Sequence, residues 1–187
     1  ALAEVQTRHR VVFEVVREDH TRTAERLRRG EVVAAITGEP KPVHGCRVVR
    51  LGRLKYAAVA TRAFHAAHFA DGVGSATFAE APIVAFDRSD SLQHDFVRRV
   101  TRRHLAPPVT YVPSVREFDR AVRVGMGWGL LPESDVLDEL DRGDLVELVP
   151  GRRPEVPLFW QHWRLGSGLV DDVTDAVVGA ARAWMAG

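Results

Sequence analysis

The chain has 187 residues, 45% apolar and 27% charged, a balance that suits one large or two small soluble domains with a real core. Lys+Arg 26 against Asp+Glu 25 leaves a formal net charge of +1, so the chain carries no electrostatic footprint for gripping nucleic acid by itself. Its single cysteine, Cys46, excludes an internal disulfide and suits a reducing cytoplasm, and no apolar run approaches the ~20 residues of a membrane helix.

Residues 1–9 read as the end of a helix with Leu2 and Val5 on one face. The opening ALAEVQTRHR has neither an initiator Met nor a signal peptide, and further chain is expected upstream. RVVFEVVRED (10–19) is rich in β-branched residues and is expected as a strand. Residues 21–30 form a helix with Ala24 and Leu27 inward and Gly30 as its stop. VVAAIT (32–37) is continuously apolar and reads as a buried parallel strand. Residues 10–37 are therefore expected as a right-handed βαβ unit.

A turn-rich connection (38–46) leads to a strand at 54–64 and a short helix ended by Asp71-Gly72. A second α/β array starts near residue 81. It has a strand at 81–87, a helix at 89–105, a strand at 108–114 and a helix at 115–127. The short strand WGLLPE, the helical SDVLDELDRG and the strand LVELVP complete it. A strand at 156–164 and an amphipathic helix with the stripe Leu169, Val173, Val177, Ala180 and Trp184 close the chain. Two α/β halves, closed by elements that can return to the first, suggest two lobes joined by two crossing strands.

GMGWGLLPE (125–133) holds three glycines in five positions. A phosphate-binding loop follows a strand and opens a helix, where free N–H groups and the helix dipole meet the anion. Here the polarity is reversed, so Gly125 and Gly127 are assigned to a helix end. His65 with His68, and His44 near Cys46, do not complete a zinc ligand set, and no nucleophile–base constellation has convincing context. No metal, cofactor or catalytic residue is expected.

The segment AVRVGMGWGLLP resembles the helix–glycine–strand–Pro signature of the effector-binding domain of LysR-type transcriptional regulators. RLRRGEVVAAIT (26–37) is similar to the same family's Leu-x-x-Gly-Glu-x-Asp-x-x-Ile motif, with Val33 at the usual Asp position. EDHTRTAERLRRGEVVAAITGEPKPVHGCRVVRLGRLKYAAVATRAF (18–64), APIVAFDRSDSLQHDFV (81–97) and LFWQHWR (158–164) resemble its ArgP/LysG branch. The resemblance implies an α/β fold of two Rossmann-like lobes of the periplasmic-binding-protein type II kind. Lobe I would take residues 1–58 and 159–187, without its first strand, and lobe II residues 59–158. It also implies an N-terminal winged helix-turn-helix absent from this chain, which would contact promoter DNA. A homodimer or tetramer, with RNA polymerase as a further partner, follows from the same resemblance.

Ligands of open α/β sheets lie beyond the carboxyl ends of strands. That rule nominates Asp19, Thr37, Phe86, Asp87, Ser89, Asp90 and Ser114, and less directly Trp128. The branch resemblance implies a basic amino acid, lysine or arginine, held between the lobes and controlling genes such as an exporter. Its cationic end calls for a carboxylate, Asp87 or Asp90 first and Asp19 behind them. Its α-carboxylate calls for the hydroxyls of Ser89 and Ser114 and for helix N-termini. Simpler roles compete: Asp87, Ser89 and Ser114 as helix caps, Thr37 as a strand end, Trp128 as lobe packing. A solute-binding protein of a transport system shares the architecture and is the alternative.

Overall fold

A helix opens the chain where the sequence predicts one: α1 (Leu2–His9) packs on α8 (Gly168–Met185) and buries Val5. The computed structural model describes residues 2–16 and 23–185. The chain divides into two units, Ala1–Leu54 with Val156–Gly187, and Lys55–Glu155.

In the first unit, Arg10 at φ 51 ends α1, and residues 11–16 have no regular structure. The strand expected over 10–19 is not formed over 10–16, and residues 17–19 lie outside the described residues. Val12 and Val15 are 87% and 81% exposed, and no described strand pairs with this segment. β-branched residues favour a strand only where a neighbouring ladder takes up their N–H and C=O groups. The expected βαβ unit is accordingly absent from the described residues. α2 (Thr23–Arg28) does form, with Ala24 and Leu27 fully buried and Gly30 at φ 70 beyond its end.

β1 (Ala34–Thr37) pairs with β7 (Glu155–Trp163), Ala34 opposite His162 and Thr37 opposite Phe159. The pairing is antiparallel, not parallel as expected, because the partner is the returning strand. Burial alternates accordingly: Ala35 and Thr37 are buried while Ile36 is 45% exposed. In α8 the buried residue is Val170. Leu169, Val173 and Val177 of the expected stripe are half-buried, whereas Ala180 and Trp184 are exposed.

β2 (Cys46–Thr61) and β7 each carry the chain across the boundary between the units. In the second unit, α3 (Arg62–His68) starts where Thr61 Oγ1 accepts the N–H of Phe64 at 3.2 Å. α4 (Ser75–Glu80), which the sequence did not announce, buries one large side chain, Phe78. Six residues are too few to show a helical period. β3 (Ile83–Ala85), α5 (Leu92–Thr101) and β4 (Val109–Tyr111) form a βαβ unit with parallel strands.

α6 (Val115–Arg123) then leads to β5 (Gly129–Pro132), a 3-10 turn (Glu133–Asp135), α7 (Leu137–Arg142) and β6 (Leu145–Glu147). β5 and β6 both run antiparallel to β2. Phe64, Phe69, Phe78, Phe96 and Trp128 pack one core of this unit, and Phe118, Val122, Leu131 and Val136 the other.

Candidate functional site

The glycine segment follows α6 and precedes β5, so it faces no helix N-terminus. Gly125 takes φ 79, the left-handed conformation a helix end requires. Trp128 then lies beside β3: its N–H donates to Pro82 O at 3.1 Å, and Val84 N–H donates to Trp128 O at 2.9 Å. A Cβ on Gly127 would stand 2.9 Å from Pro82 O, and one on Gly129 2.8 Å from Val122 Cγ2. Gly127 lets the two backbones approach, and Gly129 leaves room for the Val122 and Phe118 side chains. Trp128 is fully buried, its ring 5.3 Å from that of Phe78 and 6.0 Å from that of Phe96. It stands in the core, the packing role weighed against ligand contact.

β5 leaves β3 after Trp128 to pair with β2, and the next acceptor of β3 is met by a side chain. Gln93, 1% exposed in the first turn of α5, donates through Nε2 to Val84 O at 3.0 Å. This bond ties α5 to the end of β3, across the loop that carries most of the nominated residues.

Within that loop, Asp90 accepts the N–H of Phe86 at 2.9 Å through Oδ2 and that of Leu92 at 3.1 Å through Oδ1. Asp87 Oδ1 accepts the N–H of Ser89 at 2.6 Å, the Ser89 hydroxyl, and the N–H of Asp90 at 3.2 Å. Both aspartates therefore shape their own loop. Asp90 accepts one of these bonds at each oxygen, and each oxygen carries two lone pairs, so neither bond prevents a further cationic donor there. The expected helix start at residue 89 moves to Leu92, where Asp90 takes up a leading N–H group.

The parallel pairing of β3 and β4 brings a second loop alongside, through Val112 N–H donating to Ala85 O at 2.9 Å. Ser114 occupies the N-cap position of α6 in extended backbone, and its hydroxyl makes no capping bond. The Arg88 guanidinium lies over the Tyr111 ring at 5.0 Å, joining the first loop to the end of β4. Phe86, Asp87, Ser89, Asp90 and Ser114 thus share one end of this parallel pair. Thr37 belongs to the first unit, where it is fully buried, donating to Glu39 O at 3.2 Å and accepting from Gln161 Nε2 at 3.1 Å. Asp19 lies outside the described residues.

Sequence reasoning passed over Arg88, Gln93 and Tyr56. Arg88 sits inside the nominated stretch and was within reach of the strand-end rule. Gln93 carried no signal, since its role depends on where β5 departs. Burial, with the charges of Asp90 and Asp135 adding to it, pushes the Tyr56 phenol up to about 12. It stays protonated at neutral pH and can donate a hydrogen bond. Among the described residues no group of three or more His, Cys, Asp or Glu could hold a metal ion, and no helix is long and apolar enough to cross a membrane.

The family model described as the LysR substrate binding domain matches residues 1–181. The chain is 43% identical over 167 residues to the lysine export transcriptional regulatory protein LysG of Corynebacterium efficiens, covering 89% of this chain and 57% of that one. It resembles the crystal structure of ArgP from Mycobacterium tuberculosis with a TM-score of 0.86 and 40% identity, over 91% of this chain and 59% of that one. Full-length LysG from Corynebacterium glutamicum with bound effector Arg has a TM-score of 0.84 and 38% identity, over 96% and 61%. The chain thus spans about three fifths of the length of these proteins, and its fold is the periplasmic-binding-protein type II-like α/β fold of LysR regulatory domains.

Proposed function

The chain belongs to the LysR family of transcriptional regulators, as an effector-binding domain of the LysG/ArgP kind, and we propose that its effector is a basic amino acid. The observation that carries this reading is the likeness to a LysG bound to arginine, joined to the loop that presents Asp87 and Asp90 beside Arg88. In this reading the two aspartates receive the cationic end of lysine or arginine. Arg88, Ser89 and Ser114 receive the α-carboxylate, and Phe86 flanks the aliphatic stem. Opposite poles matched to opposite charges form charge-assisted hydrogen bonds and discriminate against neutral amino acids.

The intact regulator acts in the cytoplasm as a homodimer or tetramer. A winged helix-turn-helix carries promoter DNA, RNA polymerase is its further partner, and the controlled genes include an amino-acid exporter. Sensing requires that the effector bind one conformation of the regulator better than another, and DNA affinity then changes by the same coupling. The chain acts as a sensor, not as an enzyme.

Calorimetric titration of the full-length regulator with L-arginine, L-lysine and L-leucine tests the reading. Heat from the two basic amino acids and none from leucine is expected; equal heats from all three would overturn it. Asp87→Asn and Asp90→Asn should each weaken the basic effector about tenfold, and unchanged affinity removes that residue from the site.

A further inference from the structure

A cavity in the first unit is lined by none of the residues named above as effector ligands. It opens where the first residues of β2, the end of β7 and the start of α8 meet. Arg47, His162, Arg164, Ser167 and Asp171 supply its polar wall, within about 420 Å³ of space that includes its open mouth.

The wall is cationic. Arg47 and Arg164 are exposed, and among the described residues no ion pair holds either guanidinium. Asp171 is the one carboxylate on the wall, against two guanidiniums. His162 is only 4% exposed, yet it lines the cavity. Its Nδ1 meets Trp163 O at 3.1 Å, which leaves Nε2 without a described partner. Ser167 precedes α8, an 18-residue helix whose leading N–H groups and dipole favour negative charge.

A buried imidazole held by one nitrogen, two guanidiniums and a hydroxyl match a small tetrahedral oxyanion. The guanidiniums supply planar N–H forks to its charged oxygens, and imidazole can bond either to an anionic oxygen or to an acidic P–OH. We propose that this cavity is an anion site for a phosphate group, distinct from the amino-acid site and independent of it.

Inorganic phosphate is the probe, with sodium chloride at matched ionic strength as control, and unfolding of the full-length regulator as the readout. A ligand that binds only the native state raises Tm with its concentration. Phosphate is expected to raise Tm beyond chloride, and Arg47→Gln/Arg164→Gln is expected to lose that excess, with affinity down at least about tenfold. Both arginines are exposed, so the double variant keeps its fold. In a parallel measurement the His162 ring resonances shift with phosphate in the wild type and stay fixed in the double variant. Equal stabilisation by chloride, an excess that survives in the double variant, or unmoved His162 resonances would each overturn the proposal. Asp87→Asn should retain the phosphate effect, which separates failure here from failure of the amino-acid reading.

Discussion

Gln161 donates through Nε2 to Thr37 Oγ1 at 3.1 Å, between two neighbouring strands of the first unit in which both residues are fully buried. The same carboxamide donates to Glu39 O at 3.0 Å and Lys41 O at 3.2 Å, and accepts the N–H of Val43 at 2.9 Å. One side chain thus supplies partners to the backbone of the turn after β1, whose polar groups would otherwise be buried unpaired. Gln161→Leu should cost about 3 kcal/mol in urea unfolding, since several partners are orphaned at once. Thr37→Val should cost about 1 kcal/mol and leave arginine affinity unchanged. A tenfold loss of affinity in Thr37→Val would assign Thr37 to the effector site.

Gly127 faces the backbone of β3 at a distance no side chain tolerates. Gly127→Ala is expected to destabilise by about 2 kcal/mol, because the clash is with carbonyl and main-chain carbon atoms that cannot rotate away. Gly151 takes φ 76 with open space around its would-be Cβ. Gly151→Ala should therefore cost only the conformational strain of about 1 kcal/mol. Thermal unfolding of the two variants side by side checks the ordering; equal losses would mean that backbone approach at Gly127 is not the constraint.

Arg153 grips Glu147 with two parallel bonds, Nε to Oε1 at 3.0 Å and Nη2 to Oε2 at 2.9 Å, and reaches Glu133 through Nη1. Glu147 is 11% exposed at its side chain, so its charge depends on this partner. Arg153→Gln should lose about 2 kcal/mol. Arg153→Lys should recover little, since an ammonium cannot reproduce the fork. Denaturant midpoints of the three proteins decide it, and full recovery by lysine would reduce the contact to simple charge pairing.

Asp172 of α8 accepts from His9 and Arg8 of α1, each at 2.8 Å. The bond from His9, then that from Arg8, hold its carboxyl below the usual aspartate value of 3.8. A carboxylate depressed in the folded state binds its proton more readily when unfolded. Its contribution is complete above the unfolded value and is lost as pH falls through the folded one. The stability gap between wild type and Asp172→Asn should therefore be full at pH 6 and shrink below about pH 4. Urea unfolding across that range measures it; a gap that persists at the lowest pH would show that Asp172 acts through packing.

Local order was legible along most of the chain because its causes are local. Ala24 and Leu27 sit one turn apart and Gly30 ends their helix. The β3–α5–β4 run announces itself by two apolar strands flanking a charged helix. The reversed polarity of GMGWGLLPE was enough to set phosphate binding aside there, and the family-like motifs led to the fold. The strand ends Phe86–Asp90 and Ser114 were also within reach, since side chains beyond strand termini follow from element order alone.

What tertiary structure decided was pairing and burial. Residues 10–16 have every preference for a strand and form none, since a strand exists only with a partner. VVAAIT could not declare its direction, because an apolar run reads alike parallel or antiparallel, and β7 made it antiparallel. Trp128 and Thr37 are drawn into cores by residues distant in sequence, Phe78 and Phe96 for one and Gln161 for the other. Sequence shows which side chains stand near a strand end; only the folded neighbours settle whether each one faces the core or a ligand.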